Sequence, residues 1–261
     1  MQFIQQLLDG NASQLQPFTI TFPNGQSAVA VYTPLQQPAV TVVAALGLTP
    51  PRPVFVIMGG AGLMERTGLE NLRAVIEDGL ARFAQERQAV VVDGGTTSGV
   101  MKMLGEARAK HGYTFPLIGV APKEMVAYPG FENAEKQADL DENHSHFVLT
   151  GGDAFGDESN MLAAVGWTLS GEGQRRVLGV IINGGEIVKQ EAHARAVGPL
   201  LMPLLTLEGS GRYADELALA YKAQPEDEIT AETLLKGDLH VFELSAGAEN
   251  LRNWLENFFR F

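Results

Sequence analysis

The residues best placed to do chemistry lie in four glycine-rich turns, each between an apolar run and a helical pattern. The runs read VFVIMGGAG (54–62), AVVVDGGTTSGVM (89–101), VLGVIINGGE (177–186) and MPLLTLEGSGR (202–212). In a parallel sheet the amides of such turns converge on one edge beside helix N-termini, which suits the phosphates of a ligand. We therefore predict a nucleotide site without a metal, built from Gly59, Gly60, Ala61, Gly94, Gly95, Thr96, Thr97, Ser98, Gly184, Gly185, Gly209, Ser210, Gly211 and Arg212.

Two kinds of side chain could add to these amides. Arg212 is the cation inside a glycine turn, and it could clamp a phosphate or carboxylate through charge-assisted hydrogen bonds. A solvent-facing arginine is the alternative. The hydroxyls of Thr96, Thr97 and Ser98 precede a helical pattern, so they could cap that helix, donate to a phosphate, or do both.

Acidic and imidazole side chains offer further chemistry. Asp153, Asp157 and Glu158 precede a helical pattern, where they would complement the helix dipole or accept hydrogen bonds from ribose hydroxyls. His144 and His146 have the spacing of one strand face. With no third ligand nearby, this spacing favours structural hydrogen bonds over metal binding.

Composition restricts the function classes. The chain has 261 residues, no cysteine and a net charge of −12. Disulfides, thiolate catalysis and cysteine-bound zinc are therefore excluded, and general binding to nucleic acid or anionic membranes is disfavoured. No apolar run approaches a membrane span and no secretory signal precedes the domain, so we expect a cytoplasmic protein.

The elements that must position these residues alternate along the chain. After a short helix over 2–8, strand patterns around Asn24-Gly25 predict a hairpin packed on the main sheet, so that residues 1–50 form an extension and 51–261 the main domain. Strands are predicted over 54–58, 89–93, 116–120, 146–150, 177–182 and 201–206. Helices are predicted over 65–86, 99–110, 158–170, 186–195 and 211–222, with a loop and short helix over 224–240 and a final amphipathic helix. This order predicts an α/β fold, Rossmann-like and doubly wound, with a mostly parallel sheet.

Two glycine turns resemble known phosphate-binding loops but lack residues that those loops require. The turn Gly94–Gly99 has Walker spacing, but Val100 and Met101 stand where lysine and a hydroxyl residue would grip phosphate and magnesium. The turn at Gly60 begins like a dinucleotide fingerprint, but Glu65 replaces the third glycine. An ATPase is thus disfavoured, and an NAD dehydrogenase is an outside alternative.

The ordered segments together resemble a known family. VVVDGGTTSGVMKMLGEARAKHG, IGVAPKEMV, LDENHSHFVLTGGD, GVIINGGEIVKQE and LEGSGRYADELA resemble the cytoplasmic N-terminal homology region of melastatin-type transient receptor potential channels, over about residues 50 to 220. That region belongs to the SLOG superfamily, and the chain resembles its free-standing prokaryotic type, often called LSDAT. The resemblance implies a Rossmann-like fold and a nucleotide-derived ligand, with ADP-ribose the type known in some channel relatives.

The superfamily also includes phosphoribohydrolases that activate cytokinins, with the signature GGxGTxxE. Residues 184–191 read GGEIVKQE, which keeps both glycines and Glu191 but replaces Gly-Thr by Ile187 and Val188. The resemblance implies that Glu191 would stabilise an oxocarbenium-like ribosyl transition state. A solvent-facing Glu191 is the alternative.

The sequence is compatible with three functions. The first is binding or sensing of an ADP-ribose-type nucleotide, with no further cofactor. The second is a nucleotide N-glycosidase or hydrolase that uses Glu191, and the third is a structural interaction protein. A homo-oligomer and a protein effector are left open.

Overall fold

A computed structural model of the chain describes residues 15–60 and 66–260. Among them, nine strands form one sheet in the order β1-β2-β8-β5-β4-β3-β9-β10-β11, and the pair β6-β7 stands apart. The strands are β1 (Pro17–Thr21), β2 (Ser27–Thr33), β3 (Val54–Gly59), β4 (Val90–Asp93), β5 (Leu117–Pro122), β6 (Val126–Ala127), β7 (Ala138–Asp139), β8 (His146–Thr150), β9 (Val177–Ile182), β10 (Leu204–Glu208) and β11 (Leu239–Glu243). All neighbours in the large sheet run parallel except β1 and β2.

Helices cover both faces of this sheet. They are α1 (Ala39–Ala45), α2 (Arg66–Ala74), α3 (Arg82–Arg87), α4 (Gly99–Lys110), α5 (Ser159–Leu169), α6 (Glu186–Val197), α7 (Arg212–Lys222), α8 (Glu228–Lys236) and α9 (Gly247–Phe259). A π-helical segment, Val75–Ala81, joins α2 to α3. One apolar core lies between the sheet and α1, α5, α6 and α7, a second lies under α2 to α4 and α9, and a smaller third cluster lies beside the β1-β2 hairpin. Burial on both faces explains why the central strands are continuous apolar runs rather than alternating ones.

The predicted fold class is confirmed, with local differences. The Asn24-Gly25 hairpin forms as predicted, and β2 joins it to the main sheet by pairing with β8. Helix α1 and strand β11 were not predicted from the sequence, and β11 continues the sheet beside β10. The helix predicted over 2–8 lies outside the described residues.

The strand order places a crevice at one edge of the sheet. Strands β4, β5 and β8 follow one another on one side of β3, whereas the next strand in sequence, β9, pairs with the other side of β3. Connections from β3 and β9 therefore diverge at their carboxyl ends, where ligands bind in open α/β sheets. Within residues 15–60 and 66–260, no helix has both the length and the apolar character needed to cross a membrane.

Candidate functional site

A cleft of about 700 Å³ opens where β3 and β9 diverge. Its wall brings together three of the four glycine turns and the arginine of the fourth. The predicted residues that line it are Gly59, Gly60, Gly94, Thr96, Thr97, Ser98, Gly184, Gly185, Glu191 and Arg212. Four helices, α4 to α7, begin at or next to residues of this wall, so their positive dipole ends surround one cavity.

The turn after β4 leaves the start of α4 free of side-chain caps. Ser98 is the N-cap residue, but its side chain makes no capping bond, contrary to the capping role expected for this turn. Its Oγ lies 2.9 Å from Oγ1 of Thr96 instead. Because neither hydroxyl caps α4, its first amides stay available to an anion.

A buried cluster supports this turn from below. Asp93 accepts hydrogen bonds on one oxygen from the Gly95 amide (2.7 Å) and from Nε2 of His144 (2.9 Å), while Nδ1 of His144 donates to Asp141 (3.0 Å). With an acceptor on each nitrogen, the imidazole is held as its cation. Burial alone would lower the pKa of His144, but the two carboxylates outweigh it and raise the pKa to about 9.

Gly95 itself does not line the cleft. Its φ is +68°, and a Cβ there would lie 2.6 Å from Cα of Gly119 on β5. The turn therefore needs glycine so that two backbones can approach each other. The other predicted glycines of this turn do not meet this obstacle, since the nearest atom to a Cβ on Gly94 is 3.9 Å away.

The turns after β9 and β10 are joined by hydrogen bonds between Asn183 and Ser210. The backbone of Asn183 donates to Oγ of Ser210 (2.8 Å), and its side-chain Nδ2 donates to the Ser210 carbonyl (2.7 Å). Ser210 is fully buried and donates to the Leu207 carbonyl, so its hydroxyl serves the scaffold. Gly209, Ser210 and Gly211 do not line the cleft, and Ala61 lies outside the described residues.

Among the described residues that line the cleft, Arg212 is the one with a cationic side chain. It is exposed, and its guanidinium packs over Gly185, where an added Cβ would overlap Nη2 of the arginine. Its φ of +51° lies in the left-handed region, which is strained for a residue with a Cβ. The fold thus holds this side chain over the glycine turn at a conformational cost.

Two carboxyls, Glu158 and Glu191, also line the cleft, and both have perturbed pKa values. Burial raises the pKa of Glu158 to about 7, with further increases from Glu191 and Asp157, and the Gly156 amide donates to it (2.7 Å). Burial also raises the pKa of Glu191, which accepts a 2.6 Å hydrogen bond from Ser159. Glu191 therefore faces the cleft and a packed neighbour rather than open solvent.

Behind Glu191 lies an arginine that sequence reasoning did not single out. Arg195, one turn further along α6, is 3% exposed, and Nη2 donates to Asn160 (3.2 Å) while Nη1 has no partner among the described residues. Its charge opposes the rise in the pKa of Glu191. The i, i+4 spacing of Glu191 and Arg195 was the available signal.

Other candidates lie away from the cleft or have other tasks. His146 bonds Ser145 and points to a different environment from His144, so the two do not form a metal pair. Asp157 closes its own turn by accepting from the Asp153 amide (2.9 Å). The wall also includes Gln137, Ala138 and Asp139 from the β7 region, which no sequence motif indicated.

Comparisons with known proteins agree with this architecture. A Rossmann-like sheet with glycine turns at its switch point defines the broad class. The model of the family described as SLOG in TRPM, prokaryote, matches residues 52–252, and the chain belongs to this family.

Individual relatives are more distant. The chain is 28% identical over 232 residues to transient receptor potential cation channel subfamily M member 2 of Rattus norvegicus and, equally, of Mus musculus, covering 75% of this chain. It is 25% identical over 211 residues to subfamily M member 1 of Mus musculus, covering 70% of this chain. The aligned part is only 15% of the length of the first two channels and 13% of the third.

Proposed function

We propose that the chain binds a nucleotide-derived ligand of the ADP-ribose type in the cleft, and acts in the cytoplasm as a sensor that reports the ligand to a partner. One observation carries the proposal: four helix N-termini, three glycine turns and Arg212 surround a single cavity of about 700 Å³. This combination of oriented amides and a bidentate cation suits a diphosphate.

The charges of the lining residues limit where a diphosphate could lie in the cleft. Besides Arg212, the described lining residues include four acids, Asp139, Glu158, Glu186 and Glu191. A diphosphate would therefore lie against the Arg212 guanidinium and Gly185 rather than against Glu158 and Glu191. The raised pKa values of Glu158 and Glu191 weaken repulsion, because these groups give up their charge readily.

Glu158 and Glu191 suit the sugar end of the same ligand. A carboxylate accepts hydrogen bonds from two hydroxyls, and a protonated carboxyl can also donate one. Glu158 and Glu191 would thus receive ribose hydroxyls while Arg212 holds the phosphates.

Calorimetric titration tests the proposal. ADP-ribose, AMP and adenosine are titrated into the protein, with unfolding temperature measured in parallel, since a ligand that binds only the folded state raises it. We expect ADP-ribose to bind more tightly than AMP, and AMP more tightly than adenosine. Absence of saturable binding by any of the three at millimolar concentration would refute a nucleotide site of this type.

The two carboxyls also favour a second candidate, hydrolysis of an N-glycosidic bond. The pKa of Glu158 is raised to about 7, so this carboxyl can supply a proton near neutral pH, and the Glu191 carboxyl lies close enough to contribute to that rise. The acid would protonate the leaving base as the C1′–N bond breaks, and water would add at C1′ while the carboxylate takes its proton.

Product analysis separates turnover from binding. Release of free base from AMP or ADP-ribose, followed by chromatography, should be abolished in Glu191→Gln if the cleft is hydrolytic. A protein that binds ligand and returns it unchanged is a binding protein, as first proposed.

A further inference from the structure

A second cavity adjoins the cleft. This groove has a volume of about 1050 Å³ and lies between the β1-β2 hairpin, the start of α4 and the segment 127–143. Thr97 and Asp139 line both cavities, and the Thr97 amide donates to the Asp139 carbonyl (2.9 Å). The two residues form a shared wall over which one ligand can extend from the cleft into the groove.

Aromatic rings form part of the groove wall. The rings of Tyr128 and Phe131 stack with centroids 5.2 Å apart and planes 28° apart, and Phe22 lies on the hairpin side. The Phe131 ring already lies 4.5 Å from Nζ of Lys123, whose own side chain is outside the groove lining. Planar groups, and cationic ones in particular, are stabilised at such rings.

The charge of the groove is negative. Its described lining residues include five acids, Glu106, Glu132, Asp139, Asp141 and Glu142, and two lysines, Lys102 and Lys136. Lys136 lies 2.5 Å from Asp139, Lys102 lies 3.9 Å from Glu106, and Asp141 holds His144.

That leaves two carboxylates without a cationic partner among the described residues, Glu132 and Glu142. A planar group with a positive charge would satisfy both the rings and these carboxylates. A second anionic group would be repelled from the same place.

We propose that the ligand of this protein is a dinucleotide whose second base is a cationic planar ring. Its diphosphate lies in the cleft and the charged ring occupies the groove beside Tyr128, near Glu132 and Glu142. This inference rests on the proposed nucleotide site and specifies the class of ligand. A pyridinium ring has the required charge and shape.

Matched dinucleotides test it by calorimetry. NAD⁺ carries the cationic ring, NADH has a neutral dihydropyridine ring instead, and nicotinic acid adenine dinucleotide keeps the cationic ring but has a carboxylate in place of the carboxamide. NAD⁺ should bind more tightly than either analogue and about tenfold more tightly than NADH, the size expected for a cation beside aromatic rings and carboxylates. ADP-ribose is titrated alongside, because it reports on the cleft alone.

Three variants locate the effect. In the double variant Glu132→Gln/Glu142→Gln the preference for NAD⁺ over NADH should collapse to less than threefold, while ADP-ribose affinity stays the same. Glu135→Gln removes one carboxylate charge from an exposed residue that does not line the groove, and it should leave the preference intact. Tyr128→Leu should weaken NAD⁺ more than ADP-ribose.

The outcomes separate the two proposals. If ADP-ribose binds but NAD⁺ shows no preference over NADH, or if the preference survives in the double variant, the inference is overturned and the cleft proposal stands. If neither ADP-ribose nor any dinucleotide binds, both are overturned.

Discussion

Removal of the Arg212 guanidinium is the most direct perturbation of the proposed site. Arg212→Ala removes the cation from the described cleft lining, and Arg212 makes no ion pair within the described residues. The change therefore leaves no buried charge unpaired, and the fold should survive. Loss of ligand affinity would then report on the phosphate contact itself.

The expected size follows from the position of the side chain. A charge-assisted hydrogen bond contributes about 1.5–3 kcal/mol, whereas exposed ion pairs contribute under about 1 kcal/mol. Arg212 is exposed in the free protein, so we take the lower limit of the first range, about 1.5 kcal/mol. This corresponds to about a tenfold loss of affinity for a diphosphate, at about 1.4 kcal/mol per decade.

Calorimetry with two ligands and a matched variant measures this loss. ADP-ribose and adenosine are titrated into wild type, Arg212→Ala and Arg175→Ala. Arg175 is an exposed arginine in a different pocket, beside residues 49–53, and its removal controls for the change in net charge. Equal losses for ADP-ribose and adenosine, or an equal loss in Arg175→Ala, would refute the assignment of Arg212 to the phosphates.

Three further predictions concern the support and the charge of the site. The pKa of His144 rises from 6.5 to about 9 on folding, so its contribution to the free energy of unfolding, about 3 kcal/mol, is full below pH 6.5 and is lost as pH rises through 9. Urea unfolding between pH 6.5 and 9.5 should show this fall. His144→Gln should be less stable than wild type, and its free energy of unfolding should not fall over this pH range. Glu158 also has a raised pKa, about 7, so its contribution to the free energy of unfolding is full below pH 4.5 and is lost by about pH 7. Glu158→Gln should abolish that fall, and at pH 8 it should unfold at a higher urea concentration than wild type. An unchanged urea midpoint would argue against the burial of Glu158. Gly185→Ala should displace the Arg212 guanidinium and weaken ADP-ribose about as much as Arg212→Ala does, with no added loss in the double variant; additive losses in this cycle would show that the two positions act independently.

Local pattern was enough to predict the architecture. Apolar runs of strand length alternate with helical periodicity, and a parallel sheet with helices on both faces is the arrangement that buries both patterns. Asn24-Gly25 likewise predicted its hairpin, because the turn depends on the conformational preferences of those two residues. The missed strand, β11, follows an acidic segment and is stabilised by pairing with β10, a contact that no local pattern encodes.

The sequence also determined which turns could approach a ligand, but the tertiary structure decided which residues of those turns do so. Gly95 and Ser210 belong to two of these turns but do not line the cleft. Gly95 packs against Gly119 of a neighbouring strand, and Ser210 accepts a hydrogen bond from Asn183 of a neighbouring turn. Conversely, Glu158 and Glu191 acquire raised pKa values because burial withdraws water from both, and the nearby Glu191 raises the pKa of Glu158 further. Spacing along the chain reports the order of the turns, whereas burial and charge at the site depend on contacts between segments far apart in sequence.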